Sequence, residues 1–352
     1  MREGDAVIAV MGMTGSGKST FISYFCDTAA AGHGLRSVTA LVEAHVSRER
    51  IRGRRVIFVD TPGFDDTTRS NTEVLREIAS WLADTYAHDI KLAGAVYLHG
   101  IQMPRVGGSA HTNMRLFREL CGDESMASVA LVTTHWSRSS EERVAQQQRH
   151  DELVGDDAFW RGMVQRGARA FKHDRGPTSA RRIVEYLLGR DADVNGGRGI
   201  GLRVQREMAG GATLDRTAVG AAIEARIEAM QAAYESQLGD LRRELDEARR
   251  ARQVNERKIG EIVEERRALE DRLRDEQRKR HRLRVDLDRL RQERSADLQR
   301  EAENVRHMLE ERITAIIAES PLDLDPRVVR ERVQRERGKR RRYEQGQKCF
   351  VM

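Results

Sequence analysis

The sequence predicts a mostly parallel α/β domain followed by a long α-helical coiled coil. Three observations carry the prediction. Short apolar runs alternate with helical patterns over residues 1–190. From about Ala221 to Ala318 proline is absent and leucines recur at heptad spacing. Between these stretches, residues 191–220 are rich in glycine ("NGGRGIG", "MAGGAT") and read as a linker or hinge with a short helix. Charge follows the same division. Residues 1–189 carry 24 Lys and Arg against 23 Asp and Glu, residues 190–326 carry 28 against 30, and residues 327–348 carry ten against three. The net charge of +6 is therefore essentially a property of the tail, residues 319–352, where the excess of seven positive charges lies within 327–348.

The first strand is the apolar run Ala6–Val10, which leads into "GMTGSGKST", Gly12 to Thr20. This is G-x-x-x-x-G-K-S, a P-loop spacing. Gly12, Gly15 and Gly17 let the backbone curl so that successive N–H groups, with Thr14, Ser16 and Thr20 beside them, face phosphate oxygens. A helix over Lys18–Ala30 adds the partial positive charge of its N-terminus. Lys18 is expected to reach the outer phosphates and Ser19 to supply an oxygen to Mg²⁺.

"RRVIFVDTPGF" follows, with Val56–Val59 as a buried strand. Asp60 stands at its carboxyl end, and Asp-x-x-Gly ends at Gly63. Asp60 is placed to hold a Mg²⁺ water and the Gly63 N–H to meet a terminal phosphate. The competing reading is an ordinary Asp-Thr-Pro-Gly turn. Between the motifs, Gly32 and Gly34 precede Thr39, which is placed to close over Mg²⁺ and the phosphate. Ser37 competes for that role, and Thr39 also suits the start of a strand over Val38–Val46. Two further strands read at Leu92–Leu98 and Ser128–Thr133, and helices at Thr72–Ala87, Asn113–Leu120 and Glu141–Leu153. A strand at Ala168–Phe171 and a helix at Ser179–Leu188 complete the half. Such alternation implies right-handed crossovers, with the ligand at the carboxyl ends of the strands.

"GMTGSGKS", the downstream "SVT" and "DTPGF" together resemble the septin-like and immune-associated branch of the P-loop GTPases, over about residues 5–190. More loosely, the chain looks like fungal proteins that join a G domain to a coiled coil. The resemblance implies a P-loop NTPase G domain that binds GTP with Mg²⁺, hydrolyses it slowly to GDP, and meets a second G domain face to face. Two departures qualify it. The family carries Asn/Thr-Lys-x-Asp after the fifth strand, whose Asp pairs with guanine. Here the segment is "VTTHWS", Val132 to Ser137, with Thr134 and His135 at that place and no Asp. Trp136 either stacks on a base or packs at the strand end. "FKHDRGPTSA", Phe171 to Ala180, is a candidate for the other side of the base pocket. The second departure is Phe64, which follows Asp-x-x-Gly where many GTPases place a water-orienting Gln. Intrinsic hydrolysis is then slow unless a partner supplies groups. Arg69 and Arg105 lie in segments able to reach a neighbour, or are ordinary surface arginines.

In the second half, with Leu238 as a and Leu241 as d, 17 core heptad positions run from 234 to 290, and 12 are apolar. The exceptions are Arg252, Asn255, Arg266, Glu276 and Arg280. After Arg294 the phase slips, as in a stutter. One continuous helix over this stretch would extend roughly 145 Å. Its stripe needs a second copy, another protein, or a fold back onto the first half; self-association is the simplest expectation, giving a dimer or higher oligomer. Acids balance bases along the rod, which argues against nucleic acid as partner.

Pro321 and Pro326 break the helix before a basic segment and the ending Cys349-Phe350-Val351-Met352. This matches C-a-a-X with a terminal residue associated with farnesyl. One lipid binds membrane weakly, and the ten upstream basic residues supply the second signal toward an anionic leaflet. The alternative for "GKRRR" is a nuclear-import or nucleic-acid patch with Cys349 idle. Three widely spaced cysteines (Cys26, Cys121, Cys349) give no disulfide framework, which fits a cytoplasmic chain. No stretch reaches the ~20 apolar residues of a span, and the N-terminus lacks a signal-peptide pattern. The combined expectation is a GTP-binding switch at the cytosolic face of a membrane. A nucleotide-binding scaffold with little turnover and a P-loop ATPase are the alternatives.

Overall fold

The computed structural model describes residues 4–27, 42–63, 69–87, 90–102, 106–250 and 256–318. The strands are β1 (Ala6–Gly12), β2 (Glu43–Val46), β3 (Val56–Asp60), β4 (Leu92–Gly100), β5 (Val129–Thr134) and β6 (Arg169–Lys172). The helices of the first half are α1 (Lys18–Ser23), α2 (Asn71–Ala87), α3 (Gly108–Cys121), α4 (Ser140–Gly155), α5 (Arg161–Gln165) and α6 (Gly176–Asn195). The strands form one six-stranded sheet in the order β2-β3-β1-β4-β5-β6. Only β2, at the edge, is antiparallel to its neighbour. The α/β, mostly parallel prediction therefore holds.

β1 lies at the centre and is buried along its whole length, as a strand covered on both faces must be. Alternate residues point to opposite faces. Ile8, Val10, Phe58, Val96 and Val132 meet Phe21 and Ile22 of α1 and Ile183, Val184 and Leu187 of α6. On the other face Tyr97 packs at a tilt against Phe117 of α3, 4.8 Å between ring centres, and gives its hydroxyl hydrogen to Asn113 Oδ1 at 3.0 Å.

Two expected helices differ in extent. α1 is shorter than Lys18–Ala30, because Tyr24 and Phe25 turn and pack on the sheet. β2 is described over Glu43–Val46, the second half of the expected strand; Val38 to Leu41 lie outside the described residues. α3 starts five residues earlier than expected, at the glycine pair Gly107–Gly108.

The larger correction concerns residues 191–220. They are not a linker. α6 continues to Asn195, and Asp191, fully buried, accepts hydrogen bonds from Arg54 Nη1 at 2.6 Å and from the Gly199 N–H at 2.9 Å. Ile200 pairs with Leu92 of β4 as an antiparallel bridge. α7 (Arg203–Ala209) comes next, with Leu202, Val204 and Met208 buried, and Gln205 Nε2 donates to the Leu82 carbonyl of α2 at 2.7 Å. The glycines serve close approach rather than looseness. Gly199 has φ +74°, and a Cβ there would lie 2.8–2.9 Å from Lys91 and Leu92.

The helical part is not one rod. α8 (Ala218–Arg250) and α9 (Glu256–Leu283) are separated by residues 251–255, and 284–286 are not helical before α10 (Leu287–Ala318). Arg280, near the end of α9, donates to Glu224 and Glu228, near the start of α8, at 2.7 and 2.6 Å. With only five residues joining them, the two helices must run antiparallel. Their seam gathers Leu238, Leu241, Leu245, Ile262 and Leu269. These are the predicted a and d positions, and the same chain fills both sides. The polar exceptions follow from this pairing. Arg280 is held by Glu224 and Glu228 of the opposite helix; Glu276 is buried beside Lys279. Arg252 and Asn255 lie outside the described residues, between the two helices.

The hairpin belongs to the same compact unit as the sheet, spanning Gly4–Leu290. The rest of α10 belongs to a second unit. No helix among the described residues is long and apolar enough to cross a membrane. Cys349 and the basic tail lie outside the described residues.

Candidate functional site

The turn from β1 into α1 is possible only because of its glycines. Gly12 has φ +143°, and a Cβ there would lie 2.3 Å from the Leu98 carbonyl of β4. Gly15 and Gly17 have φ +77° and +92°. This left-handed geometry turns the loop's amides toward one centre. Ser16 is buried, and its N–H donates to the Met13 carbonyl at 3.1 Å. Lys18 is buried and folds over the loop, donating to the carbonyls of Gly12 (3.1 Å) and Met13 (3.0 Å). Thr14 and Thr20 are exposed on the rim.

Asp60 ends β3 and is buried. Its Oδ2 accepts a hydrogen bond from Ser19 Oγ at 2.7 Å, so the two oxygens expected to serve one divalent ion stand side by side. Thr61 Oγ1 donates to the Val10 carbonyl at 3.0 Å and ties the second motif to the first strand. Gly63 then lies against the loop: a Cβ on it would sit 2.4 Å from Thr14 N and 2.6 Å from Thr14 Oγ1. Gly12, Thr14, Gly15, Ser16, Gly17, Lys18, Ser19, Asp60 and Gly63 therefore form one constellation. Thr39, Ser37, Phe64 and Arg105 lie outside the described residues.

The carboxyl end of β5 closes the other flank. Thr134 Oγ1 donates to the Ser16 carbonyl at 2.8 Å. His135, with φ 58°, places Nε2 2.9 Å from the Gly15 carbonyl, which makes that nitrogen the donor. Both residues thus sit on the loop backbone. Trp136 is a packing residue of the strand end: its ring N–H donates to the Thr133 carbonyl at 3.1 Å, and Arg143 and Lys172 lie over its faces. The segment Phe171–Ala180 does adjoin this flank, through the His173 N–H to the Thr133 carbonyl and an Arg143–Asp174 ion pair of 2.6 Å.

Two supporting residues escaped the sequence reading. Gln146, buried in α4, accepts from the Ser137 N–H at 2.8 Å and donates to the His135 carbonyl at 3.3 Å. The signal was present in the spacing of Gln146, His150 and Leu153, the buried i, i+4, i+7 face of a helix that is otherwise polar. His45, on β2, is buried near Asp60; desolvation holds its imidazole below the usual range, and the Asp60 carboxylate pulls in the opposite direction. Burial also keeps His150 and His173 on the neutral side, the positive Lys172 adding to the effect at His150.

The arrangement fits a polyphosphate with a divalent cation. The glycine cradle presents amides, Lys18 supplies a mobile positive charge, and the Ser19–Asp60 pair offers two hard oxygens of the kind Mg²⁺ prefers. Loop, sheet order and the Asp-x-x-Gly contact together define a G-domain architecture of the P-loop class, carrying a helical C-terminal part.

Comparison with known proteins agrees on the class. Residues 7–106 match the family described as 50S ribosome-binding GTPase. The chain is 29% identical over 153 residues to the Arabidopsis thaliana protein Translocase of chloroplast 90, a match covering 42% of this chain and 18% of that relative's length. Among solved structures, it is similar to Toc33 from Arabidopsis thaliana in complex with Mg²⁺ and GMPPNP, at 18% identity and a TM-score of 0.40, covering 55% of this chain and 85% of the other. It is also similar to the G domain of the T. maritima FeoB iron transporter, at 12% identity and a TM-score of 0.33, covering 53% and 98%. These descriptions differ from the septin-like and immune-associated branch that the motifs resemble.

Proposed function

We propose that the chain is a GTP-binding switch and slow GTPase whose nucleotide state is read by its own helical hairpin. The observation that carries the reading is the Ser19–Asp60 contact of 2.7 Å beneath a closed P-loop. The GTPase family matched over residues 7–106 supports the same assignment. In the proposed complex the loop amides and Lys18 hold the β- and γ-phosphates, and Ser19 and Asp60 hold Mg²⁺, directly or through water. Bound Mg²⁺ neutralises phosphate charge as it develops. Gly63 offers its N–H to the terminal phosphate, and Thr39 closes from the preceding segment. Thr134 and His135 fix the loop from the base side. The segment Val132 to Ser137 itself carries no Asp to read guanine, so adenine remains the competitor.

The readout is supported by the contacts of α2, the first helix after Gly63, which is bound directly to the hairpin. Arg282 of α9 pairs with Glu73 at 2.6 Å, Arg76 donates to the Arg282 carbonyl, and Ser80 Oγ donates to the Leu290 carbonyl at 2.9 Å. A shift of the Asp-x-x-Gly segment on nucleotide exchange would move α2 and load these contacts. With the leucine seam filled within the chain, oligomerisation is proposed through facing G domains rather than through the coiled coil. Cys349, with the basic tail, is the proposed lipid anchor to an anionic membrane.

Equilibrium binding of fluorescent GTP and ATP analogues tests the assignment. Preference for GTP, lost in Lys18→Ala, is expected; equal affinity for both, or no binding, refutes it. Single-turnover hydrolysis by the full chain, compared with Lys18→Ala, separates a GTPase from a nucleotide-binding scaffold. A Cys349→Ser variant that stays on membranes would refute the anchor.

A further inference from the structure

Two groups mark where a terminal phosphate is expected. Lys18 Nζ is held over the loop by the Gly12 and Met13 carbonyls, at 3.1 and 3.0 Å. Gly63, whose N–H is offered to that phosphate, lies against the residue after Met13, which is Thr14. The Thr14 hydroxyl stands between these marks: a Cβ on Gly63 would be only 2.6 Å from its oxygen. Thr14 is exposed on the rim, and its hydroxyl makes no hydrogen bond to the described residues. Its neighbours are already committed or point elsewhere. Ser19 Oγ donates to Asp60 Oδ2 at 2.7 Å, Thr61 Oγ1 donates to the Val10 carbonyl at 3.0 Å, and Ser16 Oγ is buried. The backbone on both sides of Thr14 is also pinned. The Met13 carbonyl accepts from the Ser16 N–H at 3.1 Å, and the Gly15 carbonyl accepts from His135 Nε2 at 2.9 Å. A group fixed in this way loses little freedom when it meets a reactant.

We propose that Thr14 is a catalytic residue, its hydroxyl orienting the attacking water against the terminal phosphate; the proposal rests on the GTPase reading above. Phe64, the residue after Gly63, has no polar atom for that task. A hydroxyl both accepts and donates. Thr14 Oγ1 accepts a hydrogen bond from the water and donates its own hydrogen to a γ-phosphate oxygen. The water oxygen forms a bond to the γ-phosphorus as the bond to the β–γ bridging oxygen breaks. That electron pair leaves on GDP, the water proton passes to an oxygen of the released phosphate, and Thr14 ends unchanged. Phosphoryl transfer depends mainly on positioning and charge stabilisation, so a group that only orients contributes to rate. One hydroxyl does with a single oxygen what a glutamine amide does with separate donor and acceptor atoms, which accords with slow turnover.

The test compares the full chain with Thr14→Val, which keeps the shape without the hydroxyl, and Thr14→Ser, which keeps the hydroxyl without the methyl. Single-turnover hydrolysis of GTP with Mg²⁺ is expected to slow roughly tenfold or more in Thr14→Val. In Thr14→Ser it should stay within about threefold. Affinity for a non-hydrolysable GTP analogue, read by fluorescence titration, should stay within about threefold in both variants. The loss then lies in the chemical step and not in binding. An unchanged rate in Thr14→Val, or equal losses in the two variants, would overturn the catalytic role. A rate loss matched by an equal loss of analogue affinity would overturn it too, leaving Thr14 a phosphate-binding residue only. Failure of the GTPase reading looks different: the unaltered chain then binds or hydrolyses no GTP, and both proposals fall together.

Discussion

The contact between Gly63 and the P-loop allows a selective perturbation. A Gly63→Ala methyl would fall 2.4 Å from Thr14 N and 2.6 Å from Thr14 Oγ1. Comfortable contact needs roughly 3.5 Å, so one backbone must retreat by about 1 Å. The loop is held by Gly12, which has no room to shift against Leu98, and by Thr134 and His135 on its flank. The Asp-x-x-Gly segment is therefore the side that moves. Gly63 is not in a left-handed conformation, so alanine adds no dihedral strain and the effect is purely steric. Overpacking of this kind costs ~1–3 kcal/mol. The retreat also removes the proposed bond from Gly63 N–H to the terminal phosphate, a hydrogen bond to a charged group of ~1.5–3 kcal/mol. Affinity for a non-hydrolysable GTP analogue should thus fall roughly 10- to 100-fold, while GDP affinity changes less than about threefold. Fluorescence titration with both nucleotides measures this. Equal losses for the two, or none for the triphosphate, would refute the mechanism.

Other predictions rest on separate contacts. Asp191→Asn removes the charge facing Arg54 in a buried network and should destabilise the chain by about 2–4 kcal/mol, read from urea denaturation. Leu269→Ala opens the hairpin seam and should cost about 2–5 kcal/mol without changing the mass found by light scattering; a change in oligomeric state would show that the seam also pairs chains. Burial holds His99 down to about 4 from an ordinary value of 6.5. The unfolded chain therefore takes up a proton before the folded one does. The resulting stability is complete above pH 6.5 and is lost as pH falls toward 4, on the order of 3 kcal/mol in all. His99→Phe should flatten the urea midpoint over that window, unless burial of this ring is not what sets its protonation.

The nucleotide site was legible because its chemistry is local. Gly12 to Ser19 are contiguous, and Asp60 follows a strand whose apolar run marks its end. Thr134 was placed by counting strands, yet its partner, the Ser16 carbonyl, is a backbone atom that no sequence pattern reports. The heptads were also legible, but periodicity specifies a stripe and not its occupant. Arg280 was read as a polar exception within a rod; it is the partner of Glu224 and Glu228 on the opposite helix. The glycine-rich stretch misled for a related reason. Glycine permits both looseness and close approach, and the deciding features, Asp191 beside Arg54 and Ile200 beside Leu92, are long-range.

The hydrogen bond from Ser80 to the Leu290 carbonyl has a consequence for synthesis. The last strand of the sheet ends at Lys172, but α2 is not fully covered until the chain reaches Leu290, 118 residues later. At ~5–20 residues per second the ribosome takes roughly 6–24 s to deliver that cover. During this interval the nascent sheet domain carries a helix face that its own later residues must claim. A fragment ending near residue 190 would be left permanently in that state.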